Sequence, residues 1–179
     1  MKPENYKYHL AIRLKEYDYS SPGIYFVTIC TKGKCRLFGR VENGLVILSE
    51  FGLMARACWN NIQVHFPNAS LLDFVIMPDH LHGLICLTDN GKGTACRASA
   101  GENQYAESFG KPVKGSIPTI IRSYKSAVTK IVNQDKSMKR SAIWQPGYYE
   151  HVVRNDEELN YTINYIRSNP LSWERKDIL

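Results

Sequence analysis

Two histidines separated by one hydrophobic residue, His80-Leu81-His82, stand inside the run Met77-Pro-Asp-His-Leu-His-Gly-Leu-Ile. In an extended strand, residues i and i+2 face the same way. Both imidazoles therefore converge on one side of a sheet, while Leu81 enters the layer on the other. Neutral imidazoles placed side by side make half of a site for a divalent cation. The same pair can also do no more than hydrogen-bond near a turn, and with Asp79 adjacent the spacing alone leaves the two readings balanced. Two ligands hold a metal poorly, so a third should come from elsewhere. In the C-terminal segment, about 100° of rotation per residue puts Leu159, Ile163 and Ile166 on one buried stripe. Tyr165 and Asn169, four residues apart, are neighbours off that stripe. A tyrosine there is either the flank of an amphipathic helix or a group with chemistry of its own.

These residues need a scaffold, and the patterning supplies one. Gly23–Thr31 is β-branched and aromatic and reads as a central strand. Leu37–Val41 and Leu45–Leu48 flank Asn43-Gly44, a step that provides the positive φ angles of a tight hairpin turn. Ser49 suits the N-cap of a helix that Pro67 stops after Phe66. Its face is expected to carry Leu53, Ala57 and Asn60 or Asn61, with Met54, Cys58 and Ile62 beside them. Leu71–Met77 and Leu81–Thr88 read as two strands that pair antiparallel across Pro78-Asp79-His80. Residues 89–115 have no periodicity and few large apolar side chains, and read as a mobile insertion within a single domain spanning 1–179.

Pro118 opens a helix in which Ile117, Ile120, Ile121, Tyr124, Val128, Ile131 and Val132 recur at helical spacing. Arg122, Lys125, Thr129 and Lys130 point away from that stripe. Gly147–Val153 reads as a last strand. A final helix at about 155–169 begins with Asn155 and Glu158 spaced as a capping box, and Asn169-Pro170 closes it. The order β-β-β-α-β-β-α-β-α predicts an α+β domain, an antiparallel β-sheet with packed helices.

Charge narrows the partner. The net charge is +6, and residues 111–140 concentrate 8 Lys/Arg against 1 Asp/Glu. A basic segment on an otherwise balanced chain points toward a polyanion, most often nucleic acid. No apolar run nears the roughly 20 residues that span a bilayer, and the N-terminal residues lack the apolar core of a secretory signal. Five scattered cysteines with no Cys-x-x-Cys pair disfavour a disulfide scaffold or zinc ribbon. Reduced thiols in a cytoplasmic protein are the expectation.

Three passages together resemble the single-tyrosine HUH transposases, in particular the REP-associated tyrosine transposase group. They are Tyr25-Phe-Val-Thr-Ile-Cys-Thr with Cys35-Arg-Leu-Phe-Gly, then Val75-Ile-Met-Pro-Asp-His-Leu-His-Gly-Leu-Ile, then Trp144-Gln-Pro-Gly-Tyr-Tyr-Glu-His-Val-Val-Arg-Asn-Asp-Glu-Glu-Leu running on into Tyr165-Ile-Arg-Ser-Asn-Pro-Leu. Their order and spacing cover nearly the whole chain from Leu10 onward, apart from 89–115. The resemblance implies the ferredoxin-like fold of HUH endonucleases. It puts the metal-binding histidines on His80 and His82, the nucleophile on Tyr165, and a third ligand on Asn169, where the insertion-sequence branch carries glutamine. Asp79 would support the histidines, and Mg²⁺ or Mn²⁺ would be the cofactor. The implied reaction is cleavage and rejoining of single-stranded DNA, at hairpins of the REP kind, through a 5′-phosphotyrosine. Arg122, Lys125 and Lys130 would hold the DNA backbone. A monomer is implied over a homodimer with exchanged helices, and a domesticated nucleic-acid binding protein without cleavage activity is the alternative.

Overall fold

The structure, a computed structural model, describes residues 17–88, 113–134 and 142–177, with side chains as far as residue 173. The strands are β1 (Gly23–Cys30), β2 (Gly39–Glu42), β3 (Leu45–Leu48), β4 (Ala69–Ile76), β5 (His80–Leu87) and β6 (Tyr149–Val153). The helices are α1 (Glu50–Asn60), α2 (Ile62–His65), α3 (Ile117–Val132) and α4 (Asp156–Asp177). Strands β4-β5-β1-β6 form one sheet in that order, each neighbour antiparallel to the next. Because β5 and β6 both oppose β1, they run parallel to each other with β1 between them, and β1 and β4 flank β5 in the same way. Helices therefore carry the chain over the split pairs, which is the ferredoxin-like arrangement and the expected α+β class. Among the described residues no helix is long and apolar enough to cross a membrane.

The period of two sorts the sheet into two faces. Tyr25, Val27, Ile29, Leu81, Ile85 and Val152 point to a large core that Trp59 of α1 and Ile120, Ile121, Tyr124 and Val128 of α3 complete. Ile24, Phe26, Leu84, Cys86 and Val153 point the other way, to a smaller core closed by Ile166 of α4. The α3 stripe is buried as expected except for Ile131, which is half-buried. At the hairpin, Asn43 and Gly44 both take positive φ, 51° and 71°, the turn that the Asn-Gly step favours.

Three expectations about the elements are corrected. The helix after Ser49 presents Gly52, Ala55, Trp59 and Ile62 to the core, while Leu53 is exposed. It also breaks at Asn61 before Phe66. Burying the indole outweighs burying a leucine, since aromatic rings bring the larger apolar area, and that sets the rotation of the helix. Secondly, α4 does not end at Asn169-Pro170 but continues to Asp177 with Pro170 inside it. Proline supplies no N–H for the Ile166 carbonyl, a cost that ordinarily stops a helix. Packing beyond the proline offsets it: a Cβ on Gly44 would stand 2.2 Å from Leu171 Cδ2, and Trp173 lies against His80. Thirdly, Cys86 is disulfide-bonded, so the thiols are not all reduced. The expected mobile segment 89–115 lies outside the described residues up to 112.

Only one half of the expected capping box forms. The Glu158 N–H donates to Asn155 Oδ1 at 2.8 Å. In return the Glu158 carboxylate accepts from the Arg154 N–H at 2.7 Å and pairs with His151 Nε2 at 2.6 Å. Burial raises the Glu158 pKa, but the Arg154 N–H and the His151 ring outweigh it and hold the carboxyl below its usual range. The first turn of α4 is thus tied to β6.

Gly83 follows the histidine pair on the opposite face, where a Cβ would sit 2.2 Å from Cζ2 of the Trp59 ring. Trp59 is fully buried and cannot retreat. Gly83→Ala should cost about 1–3 kcal/mol by overpacking, read as a lower midpoint in urea unfolding.

Candidate active site

Cross-strand registry builds the floor of the site. On β5, His82 lies opposite Thr28 of β1 and His80 opposite Cys30. Both imidazoles emerge on the face that α4 covers, while Leu81 is fully buried on the other. The rings meet at their Nε2 atoms, 3.0 Å apart. Each Nδ1 is held from behind: His80 Nδ1 donates to Asp79 Oδ1 at 2.5 Å, and His82 Nδ1 lies 2.8 Å from Thr28 Oγ1.

These partners set the tautomers. A carboxylate only accepts, so Asp79 fixes the proton of a neutral His80 on Nδ1 and leaves the Nε2 lone pair facing the cleft. The Thr28 hydroxyl accepts or donates, so His82 presents either a lone pair or an N–H at Nε2. Burial, reinforced by His80, holds the His82 pKa well below its ordinary value and keeps the ring neutral, the form that binds metals. Two bonds of about 2.1 Å at a right angle span about 3 Å, which is the separation found. The pair thus fits a divalent cation, and without one the same distance suits an N–H of His82 donating to His80. Among the described residues no group of three His, Cys, Asp or Glu side chains is placed to hold a metal. Asn169, which the resemblance names as third ligand, is 8% exposed and lines the same cleft.

Helix α4 brings Tyr165 over the histidines. Its hydroxyl is 3.4 Å from His82 Nε2, although 83 residues separate the two in sequence. Phe26 organises the packing: it stacks on His82 with centroids 5.4 Å apart and takes the Tyr165 ring edge-on at 6.1 Å. Arg167, two residues beyond the tyrosine, donates from Nε to Asp73 Oδ2 at 2.8 Å, tying α4 to edge strand β4. The cleft measures about 530 Å³ and brings together Asp79, His80, His82, Tyr165 and Asn169.

The basic residues of α3 are placed elsewhere. Their helix packs on the opposite face of the sheet from Tyr165. Arg122 and Lys130 are exposed there, whereas Lys125 donates from Nζ to the carbonyls of Gln145 and Gly147 at 2.8 and 2.9 Å. It therefore does not project freely outward as the helical wheel predicts. Two cations that line the cleft, Lys34 and Arg36, escape periodicity because the segment after β1 is a single 3-10 turn, Lys32–Lys34, and its exit, too short to show a pattern. Trp173 was hidden behind Pro170. The sequence cue to Arg36 is its place inside a passage that carries the resemblance, and for Lys34 and Trp173 it is closeness to such passages.

No family model matches the chain. A Haemophilus influenzae protein of uncharacterised function is 36% identical over 168 residues, covering 94% of this chain and 91% of its own length. A second protein of that organism, provisionally named a REP-associated tyrosine transposase, is 25% identical over 154 residues, 86% of this chain and 73% of the relative. Among solved structures, a REP-associated tyrosine transposase bound to a REP hairpin superposes with a TM-score of 0.59 at 18% identity, over 87% of this chain and 71% of the other. A provisionally named transposase of Deinococcus radiodurans superposes with a TM-score of 0.50 at 15% identity, over 84% and 92%. The fold is thus one that transposases use, with a histidine pair and a tyrosine gathered in one cleft. In sequence and in fold, what the chain is similar to is thus the REP-associated tyrosine transposases.

Proposed function

We propose that the protein cleaves and rejoins single-stranded DNA at hairpins, with Tyr165 as nucleophile. The observation that carries this reading is the Tyr165 hydroxyl at 3.4 Å from His82 Nε2, beside the point on which both imidazoles converge. The phenol, its proton lost to water, attacks the scissile phosphorus. A bond forms between Tyr165 Oη and phosphorus, the bond from phosphorus to the 3′ oxygen breaks, and that oxygen takes a proton. A 5′-phosphotyrosine and a free 3′-OH result. The phosphodiester energy is retained, so a second 3′-OH attacks the same phosphorus and releases the tyrosine without ATP. A phenol with a pKa near 10 is a slow nucleophile but a workable leaving group, which suits a step that must reverse.

His80 and His82, with Asn169, would hold a divalent cation, Mg²⁺ or Mn²⁺, which when bound supplies positive charge at a nonbridging phosphate oxygen. Asp79 and Thr28 fix the two rings so that their Nε2 atoms keep one target. Lys34 and Arg36 hold the neighbouring phosphates within the cleft, and Arg122 and Lys130 attract more distant DNA from the far face. Tyr165 and both histidines meet within one chain, which supports a monomer, acting in the cytoplasm. The bound hairpin of the structural relative supports a hairpin substrate.

The test is a denaturing gel after incubation of labelled REP-type hairpin with protein and Mn²⁺. A DNA–protein adduct is expected. Cleavage without adduct would identify a hydrolytic nuclease, and binding without cleavage a domesticated binding protein. Thr28→Val, which removes the hydroxyl behind His82, should weaken Mn²⁺ binding by about 10–100-fold in calorimetric titration while the protein stays folded.

A further inference from the structure

Tyr165, Asn169 and Trp173 follow one another along α4 at intervals of four, which aligns them on one side of the helix, and all three line the same cleft. Trp173 ends a row of rings. Its centroid is 5.5 Å from that of His80 at a tilt of 37°. His80 is 4.6 Å from His82, and His82 is 5.2 Å from Tyr165. The Arg36 guanidinium lies 5.6 Å from the Trp173 ring centroid. Of the chain's 3 tryptophans, Trp59 and Trp144 are buried in the large core, whereas Trp173 is half-buried at the mouth of the cleft. A continued α4 past Pro170 is what delivers it there.

An indole face backed by a guanidinium, with Lys34 in the same cleft, has the chemistry of an unpaired nucleobase and its phosphate. Aromatic faces stack on any base, and arginine takes the phosphate beside it. We infer that Trp173 and Arg36 form a subsite for one unpaired base flanking the cleavage position, an inference that rests on the cleavage reading above. The base displaces Arg36 from the indole, and the released guanidinium takes the adjoining phosphate. Eight residues of helix set Trp173 about 12 Å from Tyr165 along the axis. At about 3.4 Å per stacked nucleotide, the held base is a few nucleotides from the cut.

An abasic scan tests this. One abasic nucleotide is moved stepwise along the single-stranded flanks of a REP-type hairpin, and binding is measured by anisotropy in the Tyr165→Phe background, where no cleavage intervenes. With Trp173 present, one position should lose roughly tenfold in affinity when its base is missing. In Trp173→Ala that position should lose nothing further, intact DNA should bind roughly tenfold more weakly, and Trp173→Phe should restore most of the difference. Tryptophan emission should be quenched by the intact strand and not by the strand abasic at that position. An unchanged abasic profile in Trp173→Ala would overturn the subsite, as would an equal loss at every position or no binding by any hairpin. If the alanine variant unfolds, the emission comparison, made with Trp173 in place, still decides: equal quenching by intact and abasic strands would overturn the subsite. Failure of the cleavage reading shows separately, as absence of adduct from protein with Tyr165 and Trp173 intact.

Discussion

Tyr165→Phe should bind hairpin DNA as the parent does and form no covalent adduct, a loss of roughly a thousandfold or more in cleavage. The substitution removes one oxygen and keeps the ring. The edge-on contacts with Phe26 and His82 remain, and the hydroxyl's contact with His82 Nε2 is long, at 3.4 Å. Stability should therefore change by no more than about 0.5 kcal/mol. Anisotropy, thermal melting and the denaturing gel on one preparation separate the three quantities. Full adduct yield from the phenylalanine variant would remove Tyr165 from the reaction.

His80→Ala and His82→Ala should each reduce adduct formation by roughly a hundredfold or more, above the range seen when only a ligand's supporting partner is lost. Their structural costs should differ. His80 is partly exposed and its ring leans on Trp173 at the surface of the cleft, so alanine there leaves the sheet intact. His82 is 5% exposed, stacked on Phe26 and bonded to Thr28, so its loss opens a cavity costing about 1–3 kcal/mol. Adduct yield plotted against Mn²⁺ concentration distinguishes a weakened metal site, which excess metal partly rescues, from a damaged fold, which it does not. If both variants form adduct at the metal concentration the parent needs, the histidines are packing residues and the metal reading fails.

How much of this was legible in the sequence depended on whether one interaction dominated locally. The alternation around His80, Leu81 and His82 could not be satisfied in two ways, because a strand has only two faces and one of them is core. The α3 stripe was equally explicit, running over 16 residues. In the shorter α1, two rotations satisfied the apolar pattern, and only the packing of Trp59 against Tyr124 and Phe74 chose between them. The backbone chemistry of Pro170 predicts a helix end, whereas Leu171 and Trp173 supply tertiary contacts that no local rule contains. Lys125 belonged by spacing to a cationic face, yet two carbonyls of the segment before β6 were within its reach. The placement of Tyr165 over the histidines is visible only through the resemblance, since periodicity alone is equally satisfied by a helix flank.

The pairing of Thr28 with His82 and of Cys30 with His80 makes the imidazoles hostage to parity. Deleting or inserting a single residue in the short Met77–Asp79 link would exchange inside for outside along all of β5, turning both imidazoles toward Trp59 and Leu81 toward α4. Length variation among relatives should therefore be absent from that link in odd steps.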